Sequence, residues 1–307
     1  MNRYSTTRKT AIGYVFTFFT VLVWGTTFIA TKLLLVSFSS FEILVIRFII
    51  GYAALSLMCP KFLPFTNIKD ELIYAGAGLT GLTLYQLLEN IAINYSTASN
   101  VSIIISSAPL FTAIAMRLFM KEESKPLNLR FILGFVTAIT GIAIISFNGS
   151  FILKINPLGD LLALCGAILW ALYSVLVSKI NRKLHPPLAS TRRIFFYCLI
   201  FILILAFFIP VDITLQTQVL RFSNIQNIAL LLFLGVAASA LCFVTWNTAC
   251  KFLGTNKTTL YIYLIPVVTV IVSIIVLDEK ITLPGSIGCL LTIAGLGISE
   301  NIFKKKY

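Results

Sequence analysis

"ENIAINYSTASN" (Glu89 to Asn100) and "WNTACKFLGTNK" (Trp246 to Lys257) are the two stretches on which the fold turns. Aligned with each other, they set Asn90 on Asn247, and the same offset carries on downstream. It places Ser102 on Thr259, Ser106 on Tyr263, Pro109 on Pro266 and Glu122 on Glu279. Upstream, "LVWGTTFIATK" (Leu22 to Lys32) matches "ILWALYSVLVSK" (Ile168 to Lys179), with Trp24 on Trp170. Near the end of each half, Gly134 and Gly141 align with Gly288 and Gly295. Chance matches do not hold one offset through Asn, Pro and Glu in order, so the chain reads as an internal duplication.

Composition says what solvent the duplication faces. Of 307 residues, 58% are hydrophobic and 11% are charged, against about 25% charged in a soluble domain. The mean hydropathy is +0.96. Such an apolar excess calls for lipid. A bilayer core of about 30 Å takes about 17–25 helical residues per crossing. Apolar runs of that size fall near residues 12–36, 41–59, 72–94, 97–119, 129–149, 158–180, 191–210, 226–249, 256–277 and 283–303. Basic residues test the count. With the N-terminus cytoplasmic, nineteen of the 24 Lys and Arg fall inside. Only Lys32, Lys154, Arg221 and Lys280 fall outside, and Arg47 lies within a span. The net charge of +13 is therefore an orientation signal rather than a nucleic-acid footprint. Five spans per half is an odd number, so the halves enter the membrane from opposite sides. The expectation is an all-α integral membrane protein of ten transmembrane helices, two inverted five-helix repeats over residues 1–149 and 150–307, with both termini cytoplasmic. Inverted repeats around a midplane site are the architecture of alternating access.

The aromatic-glycine entry of the first span, the Pro of the fourth with Glu122 a turn beyond it, and the matching set in the second half resemble two EamA domains. Together they are similar to the ten-helix, two-repeat members of the drug/metabolite transporter superfamily, over essentially the whole chain. That resemblance implies a bacterial inner-membrane carrier, often an exporter of amino acids or other metabolites. It leaves the substrate open, since nucleotide-sugar and triose-phosphate carriers share the superfamily. One departure matters. The four-helix small multidrug resistance relatives use a glutamate in their first helix, whereas the first span here holds Thr26, Thr27 and Thr31 and no acid. That role does not transfer to Glu89, which is on another helix.

Glu89 raises its own question, because an ionisable group near the centre of a span costs about 2.5–3.5 kcal/mol on insertion scales. It shares a helix face with Gln86 and Asn90. By a rise of 1.5 Å per residue it lies roughly 7–8 Å below the outer surface, at about the level of Arg47 and Lys32. Three readings are open. Glu89 and Arg47 form a structural ion pair; or Glu89 holds a substrate ammonium while Arg47 or Lys32 holds a carboxylate, as suits a zwitterionic amino acid; or Glu89 carries a proton, which two cations at the same depth oppose. Ser99, Ser102 and Ser106 form a polar stripe that Thr259 and Tyr263 continue in the ninth span. Ordinary interhelical hydrogen bonding explains such groups equally well. Asn247, the mate of Asn90, joins the candidate set. Trp24 and Trp170 sit too deep for an interfacial belt. They are packing aromatics or cavity walls, and Trp24 with Tyr85, Tyr173 and Tyr263 is able to form a cation cage. Pro109 and Pro266 fall near mid-span and free a backbone carbonyl each, as hinges or as static kinks.

Several function classes drop out. "GAGLTG" (Gly76 to Gly81) lacks the strand, Lys and Ser/Thr of a phosphate loop. The lone His185 sits in a basic loop, and no H-E-x-x-H is present, so an enzyme is not expected. The six cysteines form no C-x-x-C pair, and no cofactor or metal is expected. The first apolar run is too long for a signal peptide. Lys304 to Lys306 suit the anionic cytoplasmic leaflet. The repeated glycines read as close helix packing. The expected partners are a small-molecule substrate and the lipid bilayer, with no nucleic acid, in a monomer or homodimer. The function expected is secondary-active export of small amine-bearing metabolites such as amino acids. Transport of organic cations (quaternary amines, polyamines, drugs) is the alternative, and a channel or scaffold a more distant one.

Overall fold

The computed structural model of the chain describes residues 3–96, 101, 104–121, 128–147, 156–183, 185–211, 214–277 and 283–300. Among these every regular element is helical. The first three are α1 (Arg3–Leu34), α2 (Ser40–Met58) and α3, which begins as Ile68–Ala77, passes through a π-helical stretch over Gly78–Leu84 and continues as Tyr85–Tyr95. Then come α4 (Ala108–Phe119), α5 (Leu129–Phe147), α6 (Pro157–Asn181), α7 (Pro187–Ala206) and a short α8 (Leu215–Ser223). α9 runs as Ile225–Leu232, a second π-helical stretch over Phe233–Leu241, and Cys242–Leu253. α10 joins Thr255–Leu260, a 3-10 turn at Tyr261–Tyr263 and Leu264–Leu277, and α11 is Leu283–Glu300. Among the described residues five helices are long and apolar enough to cross a membrane: Thr7–Leu34, Ser40–Met58, Pro157–Asn181, Pro187–Ala206 and Ile225–Leu253. Ala108–Phe119, Leu129–Ile144 and Leu283–Ser299 are apolar but shorter.

Local chemistry sets the helix starts. Ser39 accepts from the Glu42 backbone N–H at 3.2 Å while the Ser39 N–H donates to Glu42 Oε2 at 2.7 Å, a capping box. Asn67 accepts from the Asp70 N–H at 2.9 Å. Asn156 caps α6, with Pro157 at its first position. Gly254, at φ +87°, breaks the chain between α9 and α10.

Packing follows the duplication and crosses it. α1 packs on α9 and α10, and its mate α6 packs on α3 and α4. α2 packs on the π-helical part of α9, and its mate α7 packs on the π-helical part of α3. The offset that sets Asn90 on Asn247 also sets Gly78 on Gly235, inside the two π-helical stretches. Both glycines are close-approach points. A Cβ on Gly78 would fall 2.7 Å from the Ile194 carbonyl oxygen, and one on Gly235 would fall 3.1 Å from that of Arg47. α5 and α11 pair along their glycines, where Gly141 faces the Gly288 carbonyl and Gly134 that of Gly295. The repeated glycine faces are thus used within the chain.

The core joins the halves. All three tryptophans of the chain meet, with Trp24 to Trp246 at 5.0 Å, Trp24 to Trp170 at 5.3 Å and Trp170 to Trp246 at 5.8 Å between ring centroids. Exposed apolar side chains such as Val15, Phe18 and Leu22 on α1 and Leu203 on α7 form an outer surface suited to lipid.

Two clamps hold opposite ends of α2. Beyond its C-terminus, Arg192 reaches the carbonyls of Cys59 and Lys61, and Arg193 those of Leu63 and Pro64. Arg193 pairs with Glu71 at 3.3 Å, Tyr197 donates to Glu71 at 2.6 Å, and Lys183 pairs with Asp70. At the N-terminus of α2, Arg221 pairs with Glu42 at 3.0 Å and lies over the Phe38 ring.

Pro109 and Pro266 differ from the sequence expectation. Neither kinks a continuous helix. Pro109 lies in the first turn of α4 after a turn at Ser106 and Ser107, and Pro266 in the first turn after the 3-10 segment of α10. A Pro there gives up an N–H that has no helical partner anyway, so the break precedes the Pro in both repeats. Ser99, Ser102, Glu122, Glu279 and the boundary at residues 149–150 lie outside the described residues.

Gly78→Ala is expected to lower the apparent Tm, because the overpacking of about 1–3 kcal/mol exceeds the helix-propensity gain of about 1 kcal/mol. Gly166→Ala, whose Cβ would meet nothing closer than Tyr85 at 3.7 Å, is expected to raise it. Thermal unfolding of both in detergent checks the pair. The Lys183 ammonium beside Asp70 holds its carboxyl below the usual carboxylate range. A lowered folded pKa gives stability that is present above the unfolded value of about 3.9 and is lost as pH falls through the folded one. The Tm difference between wild type and Asp70→Asn should therefore stay constant from about pH 5 to pH 8 and shrink only below about pH 4.

Candidate functional site

Gln86 and Glu89 of α3 open onto a cavity between α1, α2, α3, α6, α9 and the breaks of α4 and α10. Its polar lining is Thr27, Arg47, Gln86, Glu89 and Ser106. Trp24, Phe28, Tyr85, Trp170 and Phe243 wall it, and Ile105, Ala108, Ile262 and Ile265 complete it. Its volume is about 40 Å³. A water needs roughly 10–15 Å³ measured this way, and small-molecule pockets begin near about 300 Å³. The cavity is therefore contracted.

Arg47 is 2% exposed and Glu89 is 5% exposed. They line one cavity, and no ion pair within 4.0 Å joins them. Arg47 instead donates from Nε to Ser239 Oγ at 3.0 Å, its one side-chain hydrogen bond among the described residues. Glu89 accepts from Gln86 Nε2 at 3.3 Å and stands beside Tyr85. The two charges sum to zero inside an apolar shell. That arrangement offers a guanidinium fork to a carboxylate and a carboxylate to an ammonium. Lys32, the other cation considered, is exposed and does not line the cavity.

Other candidates lie elsewhere. Asn90 is fully buried and donates to the Ser40 carbonyl at 3.1 Å, while Ser40 Oγ donates to the Asn90 carbonyl at 3.2 Å. Asn247 does the matching work in the second half. It accepts from the Tyr173 hydroxyl at 2.8 Å and donates to Thr191 at 3.0 Å. These bonds tie α3 to the start of α2 and α9 to the start of α7. Tyr263 is fully buried beside the break of α10, and its hydroxyl has no partner among the described residues. None of Asn90, Tyr173, Asn247 and Tyr263 lines the cavity.

Thr27, Phe28 and Phe243 were not among the sequence candidates. Phe243 was within reach of sequence reasoning, since the repeat offset sets it on Gln86. Among the described residues no group of three His, Cys, Asp or Glu is placed to hold a metal. A second recess of about 470 Å³ opens at the α9–α10 junction, with Asn181, Arg182, Lys251 and Lys257 in its wall.

The EamA-like transporter family profile matches this chain twice, over residues 11–147 and 157–299. The chain belongs to the EamA-like transporter family. An uncharacterized transporter of Archaeoglobus fulgidus is 28% identical over 284 residues, covering 90% of this chain and 93% of that one. A probable terminal-alkyne amino-acid exporter of Streptantibioticus cattleyicolor is 25% identical over 280 residues, covering 90% and 89%. A solved crystal structure shares the fold, with a TM-score of 0.72 and 17% identity over 96% of this chain and 97% of that one. In this EamA-like protein the membrane transport class is thus set by the family, and an enzymatic activity is not part of it.

The division of roles has a test. Asn247→Ala strands the Tyr173 and Thr191 hydroxyls and is expected to lower stability by about 1–3 kcal/mol per stranded group, with ligand affinity retained. Gln86→Ala, on the cavity lining, should lower ligand affinity, alongside any stability lost with its bond to Glu89. Thermal unfolding and ligand binding on the same preparations read both effects.

Proposed function

We propose that this protein is a secondary transporter that exports small amine-bearing metabolites, amino acids foremost, across a bacterial inner membrane by alternating access. In this reading ten spans form two inverted five-helix repeats, with both termini cytoplasmic. The observation that carries it is the placement of Arg47 and Glu89 on one buried cavity without a bond between them. Buried charges inside a membrane pair with each other or serve a ligand. An α-amino acid brings one charge for each. The likeness to an amino-acid exporter points the same way. The cavity is too small for such a ligand as it stands, so a substrate-bound state needs α4 and α10 to move at the breaks beside Pro109 and Pro266.

A second reading, transport of an organic cation, is favoured by the ring faces of Trp24, Tyr85 and Trp170 around the cavity. Arg47 in the same cavity opposes a cation without a carboxylate.

The test uses proteoliposomes with an internal pH dye. Wild type is expected to give saturable exchange of an L-amino acid and much weaker exchange of its decarboxylated amine. Glu89→Gln should lose amino-acid exchange while staying folded. Equal rates for acid and amine would move the assignment to organic cations. A mutant that still exchanges substrate but no longer moves protons would make Glu89 the proton carrier. Flux that never saturates would point to a channel.

A further inference from the structure

The two tryptophans aligned by the repeat do different work. Trp24 donates from Nε1 to the Ala238 carbonyl of α9 at 2.9 Å. The repeat sets Ala238 on Gly81, so the matching bond would run from Trp170 to the Gly81 carbonyl in α3. No such bond forms. The Tyr173 side chain covers Gly81 so closely that a Cβ there would fall 2.8 Å from Tyr173 Cβ. Trp170 packs on Tyr173 at 5.2 Å and on Tyr85 at 5.1 Å between centroids. Its indole N–H has no partner among the described residues, although the residue is 3% exposed. A buried donor without an acceptor is costly and calls for a reason. Trp170 also lines the same cavity as Arg47.

We propose that the Trp170 indole N–H is a substrate-binding donor that, with Arg47, receives the carboxylate of the transported zwitterion, whereas Trp24 is a structural donor. The assignment rests on the amino-acid reading above and deepens it. It supplies the partner that no described residue gives Trp170, and it puts two kinds of donor on one carboxylate. Carboxylate specificity then depends on Trp170 as well as on charge. A site with a hydrogen-bonding group discriminates strongly against an analogue that lacks the matching atom.

Three tryptophans give three indole N–H resonances. The full-length protein, labelled with 15N-indole tryptophan in detergent, is titrated with L-leucine, with isopentylamine (leucine without its carboxyl) and with 4-methylpentanoate (leucine without its amine). Trp24→Phe and Trp246→Phe spectra assign the peaks. The Trp170 resonance is expected to move downfield with leucine and 4-methylpentanoate and to stay with isopentylamine. In Trp170→Phe the preference for leucine over isopentylamine should narrow about tenfold, the scale of one hydrogen bond to a charged group. A Trp170 resonance that stays still while leucine binds, or an unchanged preference in Trp170→Phe, overturns the inference. If Trp170→Phe does not fold, the wild-type titration alone decides. If wild type binds leucine, Glu89→Gln abolishes that binding and Trp170 remains silent, only this inference falls. If wild type binds none of the three ligands, the amino-acid reading falls with it.

Discussion

The structure depends on two backbone contacts that a methyl group would block. At Gly78 the third helix of the first repeat lies against the backbone of α7, and at Gly235 its mate lies against the backbone of α2. Each contact crosses from one repeat to the other. The π-helical stretches around both glycines, Gly78–Leu84 and Phe233–Leu241, widen the turn at the same place. π-Helical turns are rare and gather at functional sites. Here they begin in the close contacts and end one residue before Tyr85 and one before Cys242. α3 then runs directly into the segment that carries Gln86 and Glu89. Backbone proximity on one side of these helices therefore sets the position of the cavity groups beyond it.

Charge is handled differently at the centre and at the ends. Near the ends, ions pair directly, as Arg221 does with Glu42 and Arg193 with Glu71. Both carboxylates are buried, so desolvation offsets much of what each pair gains, but Arg192 and Arg193 also bond loop carbonyls, so the connection after α2 is held by several groups at once. At the centre the guanidinium of Arg47 and the carboxylate of Glu89 share a space without bonding each other. Desolvated charges are expensive unless paired or hydrogen-bonded. Ser239 supplies a bond to Arg47, Gln86 one to Glu89, and Tyr85 stands beside that carboxylate, with both charged residues lining the cavity. The aromatic cluster around Trp24, Trp170 and Phe243 keeps that space apolar.

The membrane class, the duplication and much of the cavity were legible in the sequence. Hydropathy over a span and a fixed offset between repeats are properties of long segments, which single substitutions scarcely alter. Glu89, Gln86, Arg47, Trp24, Trp170 and Ser106 were found because a polar or tryptophan residue deep in an apolar run is conspicuous, and all six line the cavity. Asn90, Asn247, Tyr173 and Tyr263 were conspicuous for the same reason, yet they do not line it. Polarity alone does not distinguish a group bonded to a neighbouring helix from one facing a ligand. Phe28 and Phe243 were missed because an aromatic residue in an apolar run carries no contrast. The position of the breaks at Pro109 and Pro266 depends on where each helix restarts, and a hydropathy window averages across it.

The crosswise packing has a consequence for how the chain divides. Its sequence falls into two similar halves, but its interior does not. Trp24 comes from one repeat and Trp170 and Trp246 from the other, and the bare backbones at Gly78 and Gly235 each face a helix of the opposite repeat. A single copy cut from the chain would expose the face that its twin now covers. The repeat is thus a unit of inheritance and not a unit of folding: two copies of one pattern make one indivisible body.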